Sequence, residues 1–87
     1  MTALPVVSAQ QAVAALERAG FVFVSQRGSH RKYRNPITGR RCVVPMHRTL
    51  ATGTLASILR QAGLTTDEFL ERLRPSRAPS ALPFPAQ

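Results

Sequence analysis

Acidic residues are scarce in this sequence, and none falls in its central part. The 87 residues contain twelve Lys and Arg but only four Asp and Glu, which gives a formal net charge of +8 with histidine counted as neutral. From Arg18 to Thr66, both included, there is no carboxylate, whereas nine Lys and Arg side chains and both histidines lie there. Catalysis by paired carboxylates is therefore excluded from this stretch, and so is a Mg²⁺ or Ca²⁺ site, which requires oxygen anions.

Cysteine and long apolar runs are also in short supply. The single cysteine, Cys42, cannot form an intramolecular disulfide or a zinc cluster, and two histidines without nearby acids make a poor zinc site. We therefore expect no metal and no cofactor. A lone thiol is typical of a reduced, cytoplasmic setting. No apolar run approaches the roughly 18–20 residues of a transmembrane helix, and the N-terminus lacks signal-peptide features, so no membrane contact is expected.

The residues that are present suit one small domain with a basic surface. Apolar residues make up 44 % of the chain, which is enough for a compact core. Residues 1–7 are expected to form a flexible leader and residues 8–74 the folded domain, while four prolines within 75–87 predict a disordered tail. Eight net positive charges on so small a surface predict a polyanionic partner.

Local signals predict the order α-β-β-β-α, followed by a short extra helix. A capping box formed by Ser8 and Gln11 begins the first helix, and a second box, Thr65 with Glu68, begins the last. Strands are expected from residue 21 to about 27, over 30–34 and over 41–45, joined by tight turns at 28–29 and 35–39. Short turns favour an antiparallel sheet, so we predict an α+β fold with the helices on one sheet face, in which Cys42 is a core thiol.

The alternation of the second strand divides its side chains between two faces. His30, Lys32 and Arg34 share one face, and Arg31 and Tyr33 share the other. If Tyr33 packs toward the helices, the opposite face is open to solvent and cationic, with an imidazole at its edge. Such a face is suited to binding a nucleic acid.

His30 follows Gly28 and Ser29 directly, and this placement suits RNA cleavage without a metal. Glycine lets a phosphate approach the backbone closely, imidazole exchanges protons near neutral pH, and nearby cations stabilise charge on a phosphate. His30 is therefore the candidate general acid/base. Its neighbours are expected to bind RNA or support the transition state, namely Arg27, Gly28, Ser29, Lys32, Arg34, Arg41 and His47.

Several alternatives stay open at this point. The proton of the leaving oxygen could come from Lys32, Tyr33 or His47, and His47 could equally be a plain loop residue. Arg40 is expected to contact RNA or solvent. In a second interpretation His30 only contacts phosphate, and the domain is a non-catalytic RNA-binding module. In a third, a small basic protein binds only another protein.

Several motifs together resemble the HicA toxin family. They are Gly-Phe at 20–21, Gly-Ser-His-Arg-Lys-Tyr-Arg-Asn at 28–35, Val-Pro-Met-His at 44–47 and Gly-Thr-Leu-Ala-Ser-Ile-Leu-Arg-Gln-Ala-Gly-Leu-Thr at 53–65. The resemblance covers about residues 8–73. It implies a fold similar to the double-stranded-RNA-binding domain and a toxin of a type II toxin–antitoxin system that cleaves mRNA, with His30 as the catalytic histidine. It also implies a HicB-type antitoxin that covers this histidine, with any contact to DNA made only through the antitoxin.

Overall fold

The order of helices and strands is the one that the sequence predicts. The computed structural model describes residues 3–73, and the expected proline-rich tail at 75–87 lies outside the described residues. Helix α1 (Ala9–Arg18) precedes three strands, β1 (Val22–Arg27), β2 (His30–Arg34) and β3 (Arg41–Pro45), which are followed by helices α2 (Thr52–Ala62) and α3 (Thr66–Leu73). The predicted α+β fold with an extra C-terminal helix is thus confirmed.

The helix boundaries follow from capping chemistry. At the start of α1, the backbone N–H of Gln11 donates to Ser8 Oγ (3.1 Å) and the N–H of Ser8 donates to Gln11 Oε1 (2.8 Å). Thr65 and Glu68 exchange the same pair of bonds before α3. Helix α2 ends at Gly63, whose φ of 76° lies in the left-handed region that favours glycine. All three boundaries satisfy backbone groups that a helix end would otherwise leave unpaired.

The three strands form one antiparallel sheet in the order β1-β2-β3. The turn between β2 and β3 is organised by Asn35, whose Oδ1 accepts from the N–H groups of Ile37 (2.9 Å) and Thr38 (3.3 Å). The amide nitrogen of the same side chain donates to the carbonyl of Ala19, just after α1 (3.4 Å). Asn35 therefore fixes the turn and joins it to the first helix.

The core lies between the helices and one face of the sheet. Helix α2 packs on β3, α1 contacts β3, and α3 packs against α1. Tyr33 of β2 is 1 % exposed and faces this layer, which is the side we expected and which the alternation of β2 alone does not fix. The other large, fully buried side chains come from the helices, from β3 and from the loop after it: Leu16, Cys42, Val44, Leu50, Leu55, Ile58 and Phe69. The predicted core role of Cys42 is confirmed.

Two contacts extend this core beyond the predicted elements. Val7, in the segment expected to be a flexible leader, is buried and forms an antiparallel bridge with Leu50. Near the other end of α1, Arg18 Nη1 donates to the carbonyl oxygens of Arg72 (2.6 Å) and Leu73 (3.3 Å) at the end of α3. A cation at a helix C-terminus is favoured by the helix dipole, so Arg18 secures α3 to α1.

Strand β1 is exposed along its whole length. Its register with β2 shifts between Phe23 and Ser25, where a β-bulge interrupts the ladder. The adjacent Phe21 is buried, whereas Phe23 is half-exposed and meets the ring of Tyr33 edge-on, with the ring centroids 6.0 Å apart. Within residues 3–73, none of the helices combines the length and the apolar character that crossing a membrane requires.

Candidate nucleic-acid interface

The sheet face opposite the helices carries the predicted site. Directly paired residues of neighbouring strands project from the same side of a sheet, so the register assigns three rows to this face. The first row is Arg27, His30 and Pro45, the second is Ser25, Lys32 and Val43, and the third is Val22, Arg34 and Arg41. We call these nine residues the open face. It brings together His30 and the four predicted cationic neighbours Arg27, Lys32, Arg34 and Arg41.

The charge of the open face has one sign. Each row carries at least one cationic side chain, and no residue of the face is acidic. Side chains directly opposite each other have Cβ atoms about 5 Å apart, so Arg27 lies beside His30, and Arg34 beside Arg41. A phosphodiester backbone that crosses the face meets a cation at each row of the sheet.

A two-residue turn presents His30 at the end of β2. Gly28 and Ser29 connect Arg27 to its register partner His30, and Gly28 has a φ of 59°, which a tight hairpin requires at this position. A Cβ added to Gly28 would meet no atom within 4 Å, so glycine is needed here for its backbone conformation. The space above Gly28 is open to an approaching ligand.

Two hydrogen bonds to backbone carbonyls hold this turn in place. Gln26 Nε2 donates to the carbonyl of Gly28 (2.9 Å), and the N–H of Met46 donates to the carbonyl of Ser29 (2.6 Å). Gln26 is held in turn, because its Oε1 accepts from Arg31 Nε (3.0 Å). The position of His30 is therefore fixed from β1 on one side and from the end of β3 on the other.

Gln26 is a positioning residue that the sequence analysis did not single out. The signal for it was present, because a two-residue turn at 28–29 places residue 26 opposite residue 31. An amide opposite an arginine next to a hairpin turn can both accept from the guanidinium and donate to the turn. The alternation of β2 alone could not reveal this, since Gln26 belongs to β1.

The His30 side chain itself is exposed, and it makes no hydrogen bond to any other residue within 3–73. Its imidazole is thus open to a ligand on the face, while its backbone is held by the ladder to β1 and β3. This combination suits either a general acid/base that contacts the substrate or a simple phosphate contact.

The three candidates for the general acid, Lys32, Tyr33 and His47, occupy different positions relative to His30. Lys32 shares the open face with His30, two residues along the same strand. Tyr33 is inside the core on the opposite face. His47, in the loop after β3, lines a groove on the helix side with Arg31 and Arg48, and its carbonyl accepts from the N–H of Ala9 (3.1 Å).

Arg40 and Arg41 are adjacent but have different surroundings. Arg41 belongs to the open face through its pairing with Arg34. The Arg40 side chain lies over Gly63, where an added Cβ would come within 2.8 Å of its Nε. This places the guanidinium at the C-terminal end of α2, where the helix dipole favours a cation. Glycine at position 63 therefore has two roles. It adopts the left-handed conformation that ends α2, and it leaves room for the Arg40 side chain.

The single thiol lies away from the interface, and the described residues show no cluster of metal ligands. Cys42 is buried on the helix side of β3, and desolvation raises its pKa from 9.0 to about 11. A neutral, buried thiol is a poor nucleophile. Among residues 3–73, no three His, Cys, Asp or Glu side chains are grouped so that they could hold a metal ion.

Comparison with known proteins identifies one family. A family model described as the HicA toxin of bacterial toxin–antitoxin systems matches residues 9–64, which include all three strands and helices α1 and α2. The matched region contains the entire open face and the turn that presents His30. A search of curated proteins finds no significant match to the chain.

Proposed function

The chain belongs to the HicA toxin family of bacterial toxin–antitoxin systems, and on that premise we propose that it cleaves mRNA as a metal-independent endoribonuclease. The observation that carries the proposal is the position of His30, at a braced turn on an open sheet face that is cationic and free of acids. Cleavage of mRNA would stop translation, and the cytoplasm is where that substrate is found.

In the proposed reaction, His30 removes the proton of a ribose 2′-hydroxyl. The 2′-oxygen then attacks the adjacent phosphorus, and the bond from phosphorus to the 5′-oxygen breaks. The leaving oxygen takes a proton from a general acid, so the products are a 2′,3′-cyclic phosphate and a 5′-hydroxyl. We assign the general-acid role to Lys32, because it shares the open face with His30, whereas Tyr33 is buried on the other side.

The neighbouring cations supply the electrostatic part of the mechanism. Negative charge accumulates on the phosphate as the 2′-oxygen attacks, and fixed positive groups stabilise that charge more than they stabilise the starting diester. Arg27 is beside His30 across the strand pair, and Arg34 and Arg41 lie farther along the face. We assign Arg27 to transition-state support and the two farther arginines to RNA binding, while the exposed backbone at Gly28 and Ser29 admits the phosphate.

One observation favours a non-catalytic RNA-binding module as the second candidate. No residue within 3–73 forms a hydrogen bond that would orient the His30 imidazole, whereas catalytic histidines are commonly oriented by a partner. In this case His30 would contact phosphate only, and the four cations of the open face would account for the function.

Cleavage in the presence of a chelator separates the two candidates. We expect the purified protein with EDTA to produce RNA fragments that end in cyclic phosphate, and His30→Ala to lose at least about 100-fold in rate, the range for removal of a general acid/base. Arg60→Ala, which truncates an exposed side chain of α2 outside the open face, is the matched control and should cleave like wild type.

The binding behaviour of the same variants completes the test. His30→Ala should still bind a 2′-O-methyl RNA, which cannot be cleaved because its nucleophilic oxygen is blocked. Intact RNA with the wild-type protein, or equal cleavage by wild type and His30→Ala, would sink the catalytic proposal in favour of the binding module. If the wild-type protein cleaves RNA without EDTA but not with EDTA, the proposal that the reaction needs no metal ion would be wrong.

Membership of the family implies an antitoxin partner, and we propose a HicB-type antitoxin that covers the open face. Support comes from the charge of this face, which an acidic surface would complement and steer toward. Contact with DNA would then be made only by the antitoxin. Arg34→Glu should weaken capture of the co-expressed antitoxin more than Arg60→Glu does, and equal capture by the two variants would place the antitoxin elsewhere.

A further inference from the structure

A second basic site lies on the helix side of the sheet, around the end at which His30 begins β2. A groove of about 450 Å³ is lined by residues 8–10 at the start of α1, by Arg31 of β2 and by residues 46–48 after β3. This volume is in the range of sites that hold small ligands. Three of the lining side chains, those of Arg31, His47 and Arg48, are basic, and none of the lining side chains is acidic.

The Arg31 side chain is held by a hydrogen bond at the groove before any ligand binds. Its Nε donates to Gln26 Oε1, which fixes the plane of the guanidinium and leaves the four Nη hydrogens for an external acceptor. A planar guanidinium presents these donors in a geometry that matches a phosphate. The nitrogen of the same amide, Gln26 Nε2, donates to the carbonyl of Gly28 in the turn that presents His30. The orientation of Arg31 and the position of His30 therefore depend on one side chain.

The groove and His30 lie around the same end of the sheet. Arg31 follows His30 along β2 and points to the opposite face, and His47 comes two residues after Pro45, the register partner of His30. A single RNA strand that passes around this end therefore meets His30 on one face and the groove on the other.

We propose that the groove lined by Arg31, His47 and Arg48 binds a phosphate of the RNA strand that flanks the phosphate at His30. The inference rests on the proposed function, since it takes the open face as the place where RNA is cleaved. Its consequence is that the enzyme holds the RNA on both sides of the sheet end, so affinity depends on cations that the open face does not contain.

The test measures binding alone, with a fluorescent 2′-O-methyl RNA of twelve nucleotides, so it does not depend on cleavage. Arg48→Gln should lower the dependence of log K on log salt concentration by about 0.7, the contribution of one phosphate contact to a single strand. The loss of affinity should then be about 2.6-fold larger at 50 mM than at 200 mM salt, by the same relation. Arg60→Gln, with the same charge change on α2, should leave the slope at the wild-type value.

Further variants keep the result interpretable. Arg48 is exposed, so its substitution does not threaten folding. Arg31→Gln should show a similar change of slope, and Arg31→Lys should restore the slope but not the full affinity, because a lysine cannot donate in the same planar geometry.

Three outcomes would overturn the inference. The first is an equal salt slope for Arg48→Gln and Arg60→Gln. The second is a shift of the Arg48 amide NMR signal that inorganic phosphate saturates below 1 mM and that the RNA does not produce, which would assign the groove to a free anion. The third is unchanged RNA binding together with weaker antitoxin capture, which would make the groove a protein contact. Failure of cleavage by the wild-type protein would refute the proposed function instead and would leave the binding result standing.

Discussion

Helix α3 lies beyond the family-matched residues, yet the structure predicts that it contributes a large part of the stability through one side chain. Phe69 is 0 % exposed and is the one fully buried residue of α3. Phe69→Ala removes a fully buried aromatic ring from the helix that packs against α1, and such truncations cost about 3–5 kcal/mol. The whole free energy of unfolding for a unit of this size is about 4–10 kcal/mol. The variant should therefore be close to unfolded at the lower end of that range.

Urea unfolding of the full chain, followed by circular dichroism at 222 nm, measures this loss. Phe69→Leu keeps most of the buried volume, and its free energy of unfolding should fall by about 1–2 kcal/mol. This milder variant can still be measured if the alanine variant does not fold. Glu71→Ala, at an exposed position of the same helix, should change the stability by less than about 0.5 kcal/mol. A loss below about 1 kcal/mol for Phe69→Ala, with an unchanged urea slope, would refute the conclusion that α3 is part of the core.

Three further substitutions test other parts of the structure. Tyr33→Phe retains the buried ring on the face opposite His30, so the rate of RNA cleavage should stay within twofold of wild type. A loss above tenfold would indicate that the Tyr33 hydroxyl acts as the general acid. Asn35→Ala removes the acceptor for two turn N–H groups and the donor to the carbonyl of Ala19, and should lower the stability by about 1–3 kcal/mol in thermal melts. Burial raises the pKa of Cys42 to about 11, so the unfolded thiol ionises at lower pH than the folded one. Stability that is present below the unfolded pKa should therefore fall between about pH 9 and 11, and Cys42→Ala should show a shallower fall.

Local chemistry made much of the fold predictable. The two capping boxes, which begin at Ser8 and Thr65, each mark a helix start by a pattern of only four residues. Both form as expected. The turns at 28–29 and 35–39 fix which residues face each other, so alternation alone assigns His30 and Tyr33 to opposite sides of the sheet. These features depend only on neighbours along the chain, and a single sequence carries that information.

Contacts between distant segments were not predictable in the same way. The groove requires Arg31 to meet the start of α1 and the loop at 46–48, and its shape depends on helix placement that no local signal encodes. The bridge between Val7 and Leu50 is of the same kind. Aromatic and β-branched residues at 21–24 predict strand β1, but its exposure follows from its place at the sheet edge, which the residues themselves do not specify.

The pairing of Arg34 with Arg41 has a consequence for the folded state itself. Like charges directly opposite each other on neighbouring strands are destabilising, by roughly 0.2–1 kcal/mol per pair, and this pair lies at the end of the β2–β3 hairpin. An anion between the two guanidinium groups is attracted to both and so offsets their repulsion. Added salt weakens the same repulsion by screening. The free protein is thus less stable than its fold would otherwise allow, and whatever polyanion occupies the open face raises its stability through binding to the native state alone.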